Sequence, residues 1–160
     1  MRTAVVAVAE YAIYLVTAAF AVSCWRLPEP SRRVIAVQLL VATAATVALV
    51  GLAALAYHHP RPFADGQVQP WFPHDADSGF PSDHTTATTM MAALLWPYRR
   101  AVAAALMATA AMIGVARVLA HVHWPVDVVA AIGIGGTGAA LGWWLGGLMM
   151  RPRRRTPAGP

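Results

Sequence analysis

The sequence predicts an all-α protein that is embedded in a membrane as one bundle of about five helices. Three observations lead to this prediction. The chain of 160 residues is 58% hydrophobic with a mean hydropathy of +0.54, which is too apolar for an ordinary soluble domain. Four of its apolar runs reach the roughly 20 residues that a spanning helix needs. Most of its arginines fall in alternate connections between these runs.

The four runs that are long enough to span are Thr3 to Trp25, Val34 to Tyr57, Ala101 to Ala120 and Val126 to Met150. A fifth run, Thr85 to Pro97, is uncharged but cannot cross a bilayer at about 1.5 Å per residue. We therefore expect it to begin inside the protein or at a polar cavity. Residues 1–150 are predicted to form a single transmembrane domain, followed by a flexible basic cytoplasmic tail over residues 151–160.

The arginines also predict the orientation of the bundle. They cluster in the first connection, the third connection and the tail, at Arg26, Arg32, Arg33, Arg99, Arg100, Arg151, Arg153, Arg154 and Arg155. The positive-inside rule places these segments in the cytoplasm of a multi-pass protein of the cell membrane. The loop over residues 57–84 and the corner over residues 121–124 then face outward. The pI near 10.4 reflects the arginines that set this topology. Without interleaved surface aromatics, it does not indicate nucleic-acid binding.

Polar residues gather where the fourth apolar run meets the fifth, in Arg117-Val-Leu-Ala-His121-Val-His123-Trp-Pro-Val-Asp127. If a helix starts near Trp124, His123 lies at its cap and Asp127 lies one turn later, within reach of the imidazole. A histidine held by a carboxylate has a fixed tautomer and a more basic free nitrogen, as a nucleophile or general base requires. Arg117 adds a planar cation that suits phosphate. Alone, the stretch is more typical of a capped, solvated turn.

The outward loop adds further candidates. Ser82 is predicted to cap the short helix, which places His84 in its first turn. Helices three and five then both start on the outer side, and helix N-termini bind anions. Together the outer face collects Arg61, Ser82, His84, Arg117, His123 and Asp127. This set predicts a phosphate pocket with a nucleophile and an acid beside it.

These residues resemble the three signature motifs of the type 2 phosphatidic acid phosphatase (PAP2) superfamily, which includes lipid phosphatases and vanadium haloperoxidases. The first motif ends in Arg-Pro, here Arg61-Pro62, and the second is Pro-Ser-Gly-His, here Pro81-Ser-Asp83-His84. The third is Ser-Arg, five residues, His, three residues, Asp, and this chain keeps both spacings. Within the superfamily, the segments around these motifs are similar to the small bacitracin-resistance type of undecaprenyl-diphosphate phosphatase.

The resemblance implies a mechanism and a substrate. His123 would attack the terminal phosphorus and form a phosphohistidine, with Asp127 orienting it, and His84 would protonate the departing polyprenyl phosphate and then activate water. The phosphate would be held by Arg61, Ser82 and Arg117. Arginines would neutralise the charge, so no metal or other cofactor is expected. The substrate would be undecaprenyl (polyprenyl) diphosphate within the lipid bilayer, and its hydrolysis would recycle the carrier lipid for cell-wall synthesis.

Besides Asp83, which stands where the second motif has glycine, the chain departs from the superfamily pattern at two positions. The expected lysine falls at Ala54, and His58 or His59 is a candidate replacement; the serine before Arg117 is Ala116. Asp83 is a further accessory candidate. Glu10 is another, because a carboxylate inside a membrane helix is costly unless it is used. The alternative for Glu10 is a neutral or snorkelling residue near the outer end of its helix.

Other functions remain open from the sequence. The histidines and aspartates of the outer loop could bind zinc or calcium, although their spacing matches no compact metal motif. A non-catalytic protein that binds a diphosphate lipid would keep the arginines and leave both imidazoles idle. A phospholipid monophosphatase acting on phosphatidic acid or phosphatidylglycerol phosphate would use the same motifs. The glycine-rich fifth helix is a candidate face for a homodimer.

Overall fold

The computed structural model describes residues 1–64 and 66–150. Its helices are α1 (Arg2–Trp25), α2 (Glu29–Ala56), α3 (Asp83–Leu95), α4 (Arg100–Leu119) and α5 (Pro125–Leu141). The last helix continues through a π-helical turn, Gly142–Gly146, and a final turn, Gly147–Met149. The predicted all-α fold class is confirmed. The basic tail predicted for residues 151–160 lies outside the described residues, as does Asp65.

Four helices are long and apolar enough to cross a bilayer: α1, α2, α4 and the continuous helical segment from Pro125 to Met149. The fifth, α3, has 13 residues and is too short to cross alone, as its sequence predicted. The chain therefore has the helices of a multi-pass membrane protein. The short helix must be accommodated within the bundle that the long ones form.

The short helix α3 forms the centre of that bundle and packs on all four long helices. Nine of its 13 residues are buried. Two of the buried threonine hydroxyls find acceptors one turn back: Thr86 Oγ1 donates to Ser82 O at 2.9 Å and Thr88 Oγ1 to His84 O at 2.7 Å. These bonds satisfy polar groups that have no water to bind. A rigid, buried helix thus carries the His84 side chain at its outer end.

Glycines let α5 approach its neighbours closely. A Cβ placed on Gly135 would lie 2.5 Å from the carbonyl oxygen of Thr86 in α3, and one on Gly142 would lie 2.6 Å from that of Gln38 in α2. Gly133 and Gly136 have open space instead. Much of the glycine pattern is therefore explained by packing within one chain. The homodimer remains a prediction for the open face.

The loop between α2 and α3 folds back onto the ends of α4 and α5. Trp71 N donates to Ala120 O at 3.1 Å, and Ser82 N donates to Asp127 O at 3.3 Å. The second bond places the N-terminus of α3 directly beside the first turn of α5. These contacts bring the three sequence motifs to one end of the bundle.

Candidate active site

Arg61 lies buried beneath the outer loop, with 6% of its surface exposed. Its Nε donates to Asp77 Oδ1 at 2.8 Å, and its Nη1 donates to Val122 O at 2.8 Å. The same Nη1 lies 3.3 Å from His123 Nε2. Bonds from two sides fix the plane of this guanidinium before any ligand arrives. Such preorganisation favours binding of a planar or tetrahedral oxyanion.

Arg117 sits in the last turn of α4 and is 3% exposed. It donates from Nη1 to Ala9 O at 3.1 Å and from Nη2 to His74 Nε2 at 3.0 Å. Its Nε has no hydrogen-bond partner among the described residues. A buried donor without a partner is costly, and a bound anion could supply the missing acceptor.

His123 occupies the corner between α4 and α5 and is 2% exposed. Its Nδ1 lies 2.8 Å from Gly79 O. Because a carbonyl only accepts, Nδ1 carries the proton and Nε2 keeps its lone pair, which faces Arg61. Burial lowers the pKa of His123 and the two nearby guanidiniums lower it further, while the bond to Asp127 opposes the shift. The geometry presents a neutral imidazole whose Nε2 lone pair accepts from Arg61 Nη1 at 3.3 Å.

Asp127 is completely buried and is shared by several donors. Its Oδ1 lies 2.8 Å from His59 Nδ1, and its Oδ2 accepts from Trp124 N at 2.7 Å. Its distance to His123 Nδ1 is longer, 3.5 Å. Trp124, rather than His123, is therefore the helix cap, one residue later than predicted. The carboxylate caps α5 and also contacts His123, but its shorter hydrogen bonds are those to His59 and Trp124.

His84 projects from the first turn of α3 into a pocket of about 500 Å³. The pocket lining consists of Glu10, Tyr11, Tyr14, Phe72, Pro73, His74, Asp75, His84 and Arg117. The imidazole of His84 makes no hydrogen bond to any residue in the described ranges. Burial lowers its pKa to about 4, assisted by the charge of Arg117 and by His123 and His74. This imidazole is neutral while the pocket is empty.

The sequence profile of the PAP2 superfamily matches residues 35–150. The chain belongs to the PAP2 superfamily. Undecaprenyl-diphosphatase BcrC of Bacillus subtilis strain 168 is 35% identical over 81 residues, which are 51% of this chain and 42% of that protein. YbjG of Escherichia coli K12, provisionally named an undecaprenyl-diphosphatase, is 31% identical over 114 residues, 70% of this chain and 57% of the relative. The chain thus spans about half the length of these relatives.

The crystal structure of Aquifex aeolicus LpxE has the same fold, with a TM-score of 0.59. The two chains are 20% identical, and the match covers 84% of this chain and 87% of the other. At this identity the likeness supports the fold alone. It agrees with the all-helical bundle and with the superfamily assignment.

The remaining predicted residues lie around this PAP2 site in different ways. Ser82 is completely buried and is the N-cap of α3, but its hydroxyl faces Thr85 Oγ1 at 3.2 Å instead of a backbone N–H. Glu10 lines the pocket. Asp83 is exposed and borders a separate, apolar cavity between α2 and α3. The predicted phosphate pocket therefore has Glu10 in its wall, whereas Asp83 does not line it.

The proposed replacement for the family lysine is not found where it was expected. His58 is exposed, and His59 bonds to Asp127 and does not line the pocket. The N-terminus of α5 was the second predicted anion site. Its cap residue, Trp124, already donates its backbone N–H to Asp127, so this N–H is not left for a bound anion. The pocket's positive charge consequently comes from Arg117, with Arg61 behind it.

Sequence reasoning missed three loop residues that complete the site: His74, Asp77 and Gly79. His74 and Asp77 each bond one of the guanidiniums, and Gly79 accepts from His123. From the sequence, His74 and Asp77 were candidates only for a metal site, and Gly79 was not a candidate. The signal that could have identified them is the need of two buried arginines for acceptors, in a loop that carries most of the polar side chains.

The described residues contain no group of three or more His, Cys, Asp or Glu side chains arranged to hold a metal ion. The histidines are instead distributed among the arginines, one carboxylate and backbone carbonyls. What the arrangement offers chemically is an anion pocket lined by Arg117, His74 and His84, with His123 buried outside that lining.

Proposed function

We propose that this PAP2 protein is a membrane-embedded diphosphatase that hydrolyses undecaprenyl (polyprenyl) diphosphate to the monophosphate and phosphate. The observation that carries the proposal is the orientation of His123. Its Nδ1 proton is committed to Gly79 O, so the Nε2 lone pair faces the Arg61 guanidinium at 3.3 Å. An imidazole nitrogen held beside a phosphate-binding cation is a nucleophile for phosphorus.

In the first step, His123 Nε2 attacks the terminal phosphorus and a P–N bond forms while the bridging P–O bond breaks. His84 gives a proton to the bridging oxygen, and the polyprenyl phosphate departs. In the second step, His84 removes a proton from water, the water oxygen attacks the phosphorus and the P–N bond breaks. Phosphate leaves, and both imidazoles return to their starting states.

His84 must be protonated for the first step, although the pKa in the empty pocket is about 4. The negative charges of a bound diphosphate favour the imidazolium and raise that pKa. Substrate binding therefore favours the protonated form of His84, which can act as the general acid. His123 has the opposite role, that of the nucleophile. Asp127 supports this role, because the Nδ1 proton of His123 must stay in place while Nε2 attacks.

Charge neutralisation in this proposal comes from the two guanidiniums and from the first-turn backbone N–H groups of α3. Arg61 and Arg117 would bind the phosphoryl oxygens, where charge builds up in the transition state. Ser82 would contribute from the start of the same helix. Because arginines supply this charge, we expect activity to persist in EDTA.

An apolar groove supports a lipid substrate. It has a volume of about 450 Å³ and is lined by Ala7, Val8, Tyr11, Ala12, Tyr14 and Leu15 on α1. Tyr11 and Tyr14 also line the polar pocket, so a headgroup in the pocket would continue into a tail along α1. The similarity to two relatives named as undecaprenyl-diphosphatases favours undecaprenyl diphosphate as that lipid. By the positive-inside rule the pocket would open to the extracytoplasmic face, where the carrier lipid would be recycled for cell-wall synthesis.

The test is phosphate release by the detergent-purified protein from undecaprenyl diphosphate and, separately, from phosphatidic acid, in EDTA, with His123→Ala as the control. The proposal expects strong preference for the diphosphate and loss of release in the variant. Equal use of both lipids would instead indicate a broad phospholipid monophosphatase. Release that survives in His123→Ala would overturn the nucleophile assignment, and no release from either lipid would favour a binding protein.

A further inference from the structure

His59 is joined to the site by its backbone and by its side chain, although it does not line the pocket. Its ring Nδ1 lies 2.8 Å from Asp127 Oδ1. An ionised carboxylate only accepts, so Nδ1 is the donor. The other carboxylate oxygen accepts from Trp124 N and faces His123 Nδ1. The His59 ring thus holds the carboxylate in the orientation that both caps α5 and faces His123.

The backbone of His59 reaches His123 by a second route. Its carbonyl oxygen accepts from Gly79 N at 2.9 Å, and Gly79 O in turn accepts from His123 Nδ1 at 2.8 Å. The N–H of His59 donates to Ser78 Oγ at 3.3 Å. Both acceptors that face His123 Nδ1, one carbonyl and one carboxylate, are therefore fixed by the same residue.

Aromatic neighbours hold the His59 ring in place. Tyr57 stacks on it with ring centroids 5.3 Å apart, and the Trp124 ring lies 6.0 Å away. Trp124 Nε1 also donates to Pro60 O at 3.0 Å. A ring confined in this way keeps its donor directed at Asp127. His58, the adjacent residue, is exposed and its side chain bonds to nothing in the described part of the chain.

We propose that His59 is a positioning residue for His123: its side chain directs the His123 imidazole through Asp127, while its backbone carbonyl, which any substitution keeps, supports the Gly79 acceptor. This inference rests on the proposed function for its catalytic consequence. His59 would not touch substrate, so its loss should slow the chemical step and leave binding by the arginines intact. A misplacement of about 1 Å in a reacting group can cost about 100-fold in rate.

The kinetic experiment compares His59→Ala, His59→Asn and His59→Gln with His58→Ala as the matched control, measuring kcat and KM for undecaprenyl diphosphate. We expect kcat to fall about 100-fold in His59→Ala with KM unchanged, and no change in His58→Ala. The amide nitrogen of asparagine lies where Nδ1 lies, so His59→Asn should recover most of kcat. Glutamine places its amide near the Nε2 position and should not rescue.

Two kinetic outcomes would overturn the inference. One is a His59→Ala enzyme that matches His58→Ala in kcat. The other is a His59→Ala enzyme in which kcat falls and substrate binding weakens to the same extent, and in which asparagine restores neither. That result would mean that His59 only supports folding.

A spectroscopic measurement keeps the inference testable if the wild-type protein releases no phosphate. With ¹⁵N-labelled histidine, His123 is identified by its absence in His123→Ala, and its nitrogen shifts report the tautomer. Because Gly79 O still accepts from Nδ1, we expect the Nδ1–H tautomer in all three proteins, with the His123 nitrogen shifts of wild type kept in His58→Ala and altered in His59→Ala, where Asp127 loses its His59 donor. An unchanged His123 signal in His59→Ala would refute positioning, whatever the enzyme's substrate.

Discussion

Nη2 of Arg117 donates a hydrogen bond of 3.0 Å to Nε2 of His74, so a loop residue holds a guanidinium that emerges from α4. Three residues later, Asp77 accepts from Arg61 Nε at 2.8 Å. One short segment of the outer loop thus restrains both arginines of the proposed phosphate site. The loop is part of the binding machinery as well as a connection between α2 and α3.

Removal of His74 should weaken phosphate binding. In His74→Ala, Arg117 loses an acceptor, and a hydrogen bond to a charged group contributes about 1.5–3 kcal/mol. We expect KM for undecaprenyl diphosphate to rise about 10-fold or more, since 1.4 kcal/mol corresponds to tenfold, with a smaller fall in kcat. His58→Ala is the control, because His58 is exposed and does not line the pocket. An unaltered KM in His74→Ala would contradict the role of the loop.

The pocket histidines should make stability depend on pH. Burial, with the charges of Arg61 and Arg117, lowers the pKa of His74 to about 4, and that of His84 is also about 4. Both values lie below the 6.5 of an unfolded histidine, so the neutral form favours the folded state. Their contribution is complete above pH 6.5 and is lost as the pH falls from 6.5 towards 4.

The measurement is the Tm in detergent between pH 7 and pH 4, for wild type and the double variant His74→Ala/His84→Ala. Wild-type Tm should fall more steeply with acid. Millimolar sulfate, a tetrahedral dianion over this whole range, should flatten the wild-type curve, because a bound anion stabilises the two imidazoliums. Identical slopes for the two proteins would show that these histidines do not drive the dependence.

The sequence motifs predicted a large part of the site. Motif order and spacing indicated that Arg61, His84 and His123 would meet, and the uncharged but short run from Thr85 to Pro97 indicated a helix that lies within the bundle. These features are local in sequence. The cap of α5 was misplaced by one residue because a His, a Trp and a Pro in succession do not fix the helix start to one position.

The contacts of His59, His74 and Gly79 could not be predicted in the same way. His59 and Asp127 are 68 positions apart, and His74 and Arg117 are 43 apart. Neither helical periodicity nor a short motif encodes such pairs, which depend on how the loop folds over the ends of α4 and α5. Backbone acceptors are harder still, since Gly79 O could bond any donor that reaches it.

Arg61→Lys tests whether the site needs a guanidinium or only a charge. A single ammonium cannot bond Asp77 and Val122 O while also facing His123, because it lacks the planar fork. We expect kcat to fall roughly 100-fold or more, the usual effect of losing one transition-state donor. Arg100→Lys, on an exposed residue at the start of α4, should leave activity unchanged. Near-normal turnover in Arg61→Lys would mean that charge suffices.

Gly79→Ala tests the crowding around the His123 acceptor. A Cβ there would lie 3.2 Å from Arg61 Cγ, 3.2 Å from Asp127 Oδ2 and 3.5 Å from His123 Nδ1. Those groups are buried and mutually bonded, so they cannot all move aside without disturbing the nucleophile. We expect kcat to decrease at least 10-fold in a folded protein, measured beside Gly51→Ala, whose Cβ meets open space. Equal activities of the two variants would show that the site tolerates the shift.

Gly142→Ala and Gly136→Ala separate the two uses of the glycine-rich helix. The Cβ at position 142 would lie 2.6 Å from Gln38 O and 2.7 Å from Ala42 Cβ, so α2 and α5 must move apart. We expect a destabilisation of about 1–3 kcal/mol, as for other overpacked contacts, seen as a lower Tm in detergent.

Gly136 has no atom within 4 Å of its Cβ position, so Gly136→Ala should keep or raise the Tm, because alanine favours the helix. If the open glycine face is a dimer interface, the larger Gly136→Leu should abolish self-association in crosslinking while the monomer stays folded and active. Self-association that persists in Gly136→Leu would exclude that face, and a Tm in Gly142→Ala equal to wild type would contradict the close packing of α5 on α2.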